Sequence, residues 1–265
     1  MNAAIQTIDL TKSFGEVLAV DSLDLAVETG TVFGLLGPNG AGKTTTIRML
    51  TTLLPPTSGT ATVGGFDVFR QAEHVRQSIG YVPQLLSTDG TLTGYENLLV
   101  SARLYHLPRG ERRDRIRSAL EDFGLDDARD RLVRTYSGGM IRRLEMAAAM
   151  LHTPRVLFLD EPTLGLDPIA RETVWDHLRA LQESTNTTVL LTTHYMEEAD
   201  ELCDRIAIMH RGVVAGAGTP AELKAQLGPD ATLGDVFAHL AGGSLETGGG
   251  YGEVARARRT ARRVG

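Results

Sequence analysis

The stretch Gly37-Pro38-Asn39-Gly40-Ala41-Gly42-Lys43-Thr44 sets a lysine and a threonine behind a run of glycines. Without a Cβ, glycines let successive backbone N–H groups turn inward on the oxygens of a phosphate. Lys43 can then reach the β- and γ-phosphates of a nucleotide, and the Thr44 hydroxyl can bind Mg²⁺. A second stretch, Val156-Leu157-Phe158-Leu159-Asp160-Glu161, ends four apolar residues in two acids. Open α/β sheets bind ligands at such strand ends. Asp160 can hold Mg²⁺ through water, and Glu161, facing the other side of the chain, can polarise a water for in-line attack on the γ-phosphate. A third, Tyr136-Ser137-Gly138-Gly139-Met140, leads into the helix-forming run Ile141–Ala147 and presents another helix start suited to an anion. Two phosphate-binding helix starts in one chain suggest that two copies share a nucleotide.

These residues need a scaffold. Val32-Phe33-Gly34-Leu35-Leu36 before the first glycine loop reads as a strand, and Thr45-Thr46-Ile47-Arg48-Met49-Leu50 after it as a helix whose N-terminal N–H groups and dipole favour anions. Val32–Leu36, Val156–Leu159, Val189–Leu191 and Ile206–Met209 are continuously apolar, as strands covered on both faces are, and helical stretches separate them. The economical architecture is a parallel α/β sheet. Leu23, Leu25 and Val27 instead alternate with Asp24, Ala26 and Glu28, the pattern of an antiparallel sheet with one wet face. Short strands are expected near Thr60–Val63 and Ile79–Val82, after a Pro55–Gly59 loop. From Thr93 to about Ala149 the pattern turns helical, with capping-box spacing at Thr93/Glu96 and an exposed, charged helix over Arg109–Leu120. His210-Arg211-Gly212 reads as a tight turn, and Thr219-Pro220 as a helix cap and first position.

Composition excludes several classes. The chain has 265 residues and a net charge of −6, so nucleic acid is not expected as a main partner. Its one cysteine, Cys203, allows no internal disulfide and is expected as a packed helix residue. Histidines and cysteine show no zinc-ligand spacing. The N-terminus lacks the basic and apolar regions of a secretory signal, and no stretch is apolar enough to span a bilayer. Any work at a membrane needs another chain to cross it. Beyond the glycines at 248–250, the arginines Arg256, Arg258, Arg259, Arg262 and Arg263 form a tail expected to be flexible, either simply solvated or touching an anionic membrane surface.

Over roughly residues 4 to 220 the chain resembles the nucleotide-binding subunit of ABC transporters. Gly37–Thr44 is similar to the Walker A loop, Val156–Asp160 to Walker B with Glu161 as catalytic glutamate, and Tyr136–Met140 to the signature sequence. Gln84, after Tyr81-Val82-Pro83, resembles the Q-loop glutamine near Mg²⁺; Gly165-Leu166-Asp167-Pro168 resembles the D-loop; His194, after Leu191-Thr192-Thr193, resembles the switch histidine; Phe14 resembles the aromatic that stacks on adenine. The resemblance implies an α/β fold, a P-loop NTPase core of ABC ATPase type with an antiparallel β subdomain and a helical subdomain. The ATPase domain would cover 1–220, with a helical insertion at about 87–150, and 221–265 would be a C-terminal extension. Catalysis would fall to Glu161, His194, Gln84 and Lys43. ATP would contact Phe14, the loop Gly37 to Thr45 (Gly37, Pro38, Asn39, Gly40, Ala41, Gly42, Lys43, Thr44, Thr45), Ser137, Gly138, Gly139 and Asp167, and Mg²⁺ would meet Thr44, Gln84 and Asp160.

Tyr136 and Met140 depart from the commoner Leu and Gln of the signature, and this variant resembles the daunorubicin-resistance branch of drug exporters, as does Thr232-Leu233-Gly234-Asp235-Val236-Phe237 after the core. That branch implies a separate permease, a second ATPase subunit (most simply a homodimer), and a peripheral position on the cytoplasmic face of the membrane. An importer ATPase would share every catalytic residue; a non-transport ABC ATPase acting on DNA or ribosomes, or a nucleotide-binding module without catalysis, are the other readings.

Overall fold

The computed structural model describes residues 3–241; the expectation for the basic tail lies outside the described residues. Two sheets form the scaffold. Strands β1 (Ala3–Phe14), β2 (Val17–Glu28), β4 (Ser58–Val63) and β5 (Phe66–Asp67) make an antiparallel sheet in the order β2-β1-β4-β5. Leu23, Leu25 and Val27 point into the core from β2 while Asp24, Ala26 and Glu28 stay exposed, as the alternation requires. The second sheet runs β10-β9-β3-β8-β7-β6, from β3 (Val32–Leu36), β6 (Ile79–Val82), β7 (Val156–Asp160), β8 (Thr188–Thr193), β9 (Arg205–His210) and β10 (Val213–Gly218). All its pairings are parallel except the β9–β10 hairpin, which turns at Arg211-Gly212 with both residues left-handed (φ 50° and 86°).

The continuous apolar runs have a simple cause. Successive side chains alternate across the parallel sheet, and each face has its own core. Phe33, Leu35, Phe158, Leu190 and Ala207 join the core shared with the antiparallel sheet and helix α1 (Lys43–Leu50). Leu36, Leu157, Leu159, Val189, Leu191, Ile206 and Ile208 join the core shared with the helices of the other face.

Those helices include α3 (Gly94–Leu104), α4 (Arg112–Asp122) and α5 (Gly138–Met150), which pack on one another. Thr93 and Glu96 make both bonds of the capping box that starts α3. The charged helix α4 begins later than its composition suggests and ends at Asp122; Ile116 and Leu120 are fully buried beneath its charged surface. Helices α6 (Pro168–Thr185) and α7 (Met196–Leu202) flank β8, α2 (Ala72–Ser78) precedes β6, and α8 (Pro220–Ala225) and α9 (Leu233–Leu240) close the described chain. Cys203 is buried, but it caps α7 in an extended conformation rather than lying within the helix. Ser58 and Gly59, expected in a loop, belong to β4.

Candidate functional site

β3 delivers its chain end directly into the glycine loop. Gly37 N–H donates to Thr193 O at the end of β8 (3.2 Å), and Gly212 N–H donates to Ala41 O (3.0 Å), so the loop is tied to the sheet and to the β9–β10 turn. Gly42 is left-handed (φ 106°), and a Cβ there would lie 2.5 Å from Ala19 O; only glycine fits this N-cap of α1. Lys43 curls back to donate to Gly37 O (2.7 Å) and Pro38 O (3.2 Å), and its Nζ lies 3.1 Å from Glu161 Oε1. Both side chains are 5% exposed.

The two acids at the end of β7 diverge. Asp160 Oδ1 accepts from Thr44 Oγ1 (3.2 Å) and from Thr192 Oγ1 (2.7 Å). Glu161 adopts a left-handed backbone (φ 52°), costly for a side chain with a Cβ and characteristic of sites where geometry outweighs strain. Its N–H is held by Thr192 O and Thr192 Oγ1, and its carboxylate lies between Lys43 and His194, whose Nδ1 is 2.7 Å from Oε2. The His194 ring packs on Tyr195, centroids 4.1 Å apart. Parallel pairing of β3, β8 and β7 thus joins residues 43, 160, 161 and 194 into one constellation.

Other expected site residues stand apart. Ser137 caps α5, its hydroxyl oxygen accepting from Met140 N–H (3.3 Å). Asp167 caps α6 in the same way, accepting from Ala170 N–H (2.9 Å). The two caps adjoin: a Cβ on Gly139 would lie 3.0 Å from Ala170 Cβ, so glycine permits the close approach of α5 to α6. Among the described residues, no hydrogen bond or ion pair joins Ser137, Gly138, Gly139 or Asp167 to the loop 37–45. Phe14 is 50% exposed at the end of β1, with Lys12 Nζ 5.2 Å from its ring centroid, so it is not a core aromatic. The Gln84 side chain is exposed and makes no hydrogen bond among the described residues.

A glycine loop, a lysine turned on it, a carboxylate paired with a threonine hydroxyl, and a glutamate bridged to a histidine meet in one place, an arrangement suited to binding and hydrolysing a nucleoside triphosphate. Residues 20–164 match the family described as ABC transporter. This chain belongs to the ABC transporter family. Among its relatives, the daunorubicin/doxorubicin resistance ATP-binding protein of Streptomyces peucetius is 54% identical over 85% of this chain and 68% of its own length. The linearmycin resistance ATP-binding protein of Bacillus subtilis is 41% identical over 86% of this chain and 73% of its own. A solved structure of an ATP-binding subunit of an ABC transporter, 28% identical, superposes with a TM-score of 0.79 over 89% of this chain and 99% of that one. The fold is that of the ABC ATPases, and the chain is an ATP-hydrolysing transport ATPase.

Some residues that build the site carried no separate expectation. Thr192 holds both acids, and a polar residue inside a buried strand was its only sequence trace. Arg142 and Glu145 form a buried pair on α5 (3.0 Å). Arg142 donates to Pro83 O (2.7 Å) and Gln84 O (3.2 Å), and Glu145 accepts from Ser87 Oγ (3.0 Å), so the helix that begins at Ser137 grips the segment around Gln84. Burial pushes the Arg142 guanidinium down and the Glu145 carboxyl up from their ordinary ranges. Glu198 is fully buried, accepting from Thr163 Oγ1 (2.7 Å) and Trp175 Nε1 (3.0 Å), and burial raises its pKa.

Proposed function

We propose that this chain powers efflux of a drug-like or lipophilic compound through a separate membrane permease, as the ATPase subunit on the cytoplasmic face. The observation that carries the reading is the constellation Lys43–Glu161–His194, built on the glycine loop beside the Thr44–Asp160 pair. The names of the relatives supply the class of cargo. Among the described residues no helix is long and apolar enough to cross a membrane, so the reading assigns the span to the permease.

Thr44 and Asp160 offer Mg²⁺ a hydroxyl and a carboxylate side by side, a fitting set for an ion that takes few protein ligands and completes its shell with phosphate oxygens and water. Bound there, Mg²⁺ would neutralise phosphate charge. Lys43 exchanges Glu161 for the β- and γ-phosphates of ATP. Glu161, released, accepts the proton of the water that attacks the γ-phosphorus as the bond to the bridging oxygen breaks. His194 holds the γ-phosphate, Phe14 stacks on the adenine, and Gly37 to Thr45 wrap the phosphates.

Ser137, Gly138, Gly139 and Asp167 stand off the loop of their own chain, and in this reading they complete the site of a second copy, head to tail. ATP then favours the closed pair, and phosphate release loosens it. Gln84 would help to hold Mg²⁺ and would pass its presence on to the permease. Just after it in the chain Leu85 (82% exposed) and Leu86 stand exposed, and Leu104 (72% exposed) lines a recess of about 450 Å³ between the 87–89 segment, α3 and α5, the place for an apolar segment of the permease. In this organisation residues 1–220 form the ATPase domain, about 87–150 the helical insertion and 221–265 an extension.

Inverted membrane vesicles containing the chain and its permease test the reading. They are expected to accumulate an anthracycline only with Mg-ATP, and to lose this with Lys43→Ala. ATP hydrolysis without accumulation of any amphipathic drug tried would refute export.

A further inference from the structure

On the flank of α3 away from the Gln84 recess lies a second depression of about 600 Å³, lined by Tyr95, Leu99, Arg103, Arg109, Arg112 and Arg113. Tyr95, Leu99 and Arg103 follow one stripe of α3 at four-residue spacing; Arg109 comes from the connection, and Arg112 and Arg113 from the start of α4. Four arginines line the depression, with no carboxylate beside them in the lining.

The neighbouring acids are engaged elsewhere. Glu96 is held in the capping box by Thr93 N–H (2.8 Å), Glu111 pairs with Arg115 (3.1 Å) and Asp114 with Arg117 (3.7 Å). The side chains of Arg103, Arg109 and Arg113 make no ion pair or hydrogen bond among the described residues, and that of Arg112 spends only its Nε, on Leu107 O (2.7 Å). On a chain of net charge −6, this concentration of positive charge is local and not a reflection of the whole.

We propose that this recess binds the headgroup phosphates of anionic phospholipids. Guanidinium groups match phosphate oxygens with paired donors, and the Tyr95 and Leu99 side chains give an amphipathic floor suited to the headgroup–glycerol boundary. The inference rests on the proposed pairing with a membrane permease, which would hold this chain beside the bilayer. The contact would anchor the helical elements as the ATPase pair opens and closes.

The test is sedimentation of the full chain with vesicles of phosphatidylcholine alone or with phosphatidylglycerol. Binding to the anionic vesicles is expected, weakening with salt. Arg103→Gln/Arg109→Gln/Arg113→Gln is expected to lose about 5-fold per arginine and roughly 100-fold in all. The corresponding lysine triple variant is expected to keep part of the binding, since the charge remains but the paired donors are lost. A variant with Arg256, Arg258, Arg259, Arg262 and Arg263 changed to Gln separates the tail, and it is expected to bind anionic vesicles still. Unchanged binding of the recess variant, loss only in the tail variant, or no preference for anionic vesicles overturns the proposal. So does an equal loss in neutral vesicles carrying the permease, which would assign the recess to a protein segment. Phosphate release by the purified recess variant is expected to match the wild type; its loss would show that the substitutions disturb the ATPase itself and would overturn a separate lipid site.

Discussion

Replacing Glu161 by Gln tests the bridge between the lysine loop and His194. The carboxylate sits 3.1 Å from Lys43 and 2.7 Å from His194, nearly excluded from solvent. Removing one partner of a buried pair costs about 3–5 kcal/mol. The glutamine oxygen can still accept a hydrogen bond, and Lys43 keeps Gly37 O and Pro38 O, so the expected cost falls to about 2 kcal/mol. For a chain of this size that lowers the melting temperature by about 4–8 °C without added nucleotide. In the proposed mechanism the same 2 kcal/mol opposes ATP in the wild type, because Lys43 would have to leave Glu161 to meet phosphate. Glu161→Gln is therefore expected to bind Mg-ATP up to about 30-fold more tightly, while turnover falls by about 10²–10⁴ with the loss of the group that takes the proton. Thermal melts with and without Mg-ATP, beside a steady-state phosphate-release assay, read all three quantities. An unchanged melting temperature and affinity would show that the bridge contributes nothing; full turnover would remove Glu161 from the chemistry.

Three further outcomes follow from neighbouring contacts. Tyr136→Phe deletes the hydroxyl that donates to Ala128 O (2.7 Å) and is expected to lower stability by about 1 kcal/mol in a melt, with ATP affinity unchanged. Arg142→Met leaves Glu145 buried without its cation and is expected to cost about 3–5 kcal/mol in denaturant unfolding, whereas Arg142→Met/Glu145→Leu recovers part of that loss; a double variant as unstable as the sum of the singles would contradict it. Glu198 has its pKa raised by burial, so the folded chain binds its proton more tightly than the unfolded one. Its contribution is full below the ordinary carboxylate pKa of about 4.3 and is lost as pH rises through the raised value. Melting temperatures of Glu198→Gln should therefore fall less than those of the wild type over that window, and identical pH profiles would refute this.

Much of the scaffold was legible in residue order. The buried strands showed as unbroken apolar runs because each face of the parallel sheet feeds a separate core, and β2 showed as an alternation because one of its faces is wet. The Thr93/Glu96 cap is a local bond pair and was readable as such. The bridge from Glu161 to Lys43 and His194 was not. It depends on a left-handed residue after β7 and on strand order, neither of which leaves a local trace. Arg142 and Glu145 passed for ordinary helix charges, because nothing in the sequence places residues 83–87 against α5. Ser137 and Asp167 were expected as ligand contacts, and the structure shows that each caps the start of its own helix.

The central claim is that the loop of one copy and the Ser137–Gly139 helix start of another enclose a single ATP. Mixing Lys43→Ala chains with Ser137→Arg chains tests it directly, since only a mixed pair contains one intact composite site. Each variant alone is expected to retain almost no ATP on a desalting column with Mg²⁺, and the mixture to retain it. Retention by Ser137→Arg alone at wild-type level, or a mixture as empty as its parts, would contradict the account.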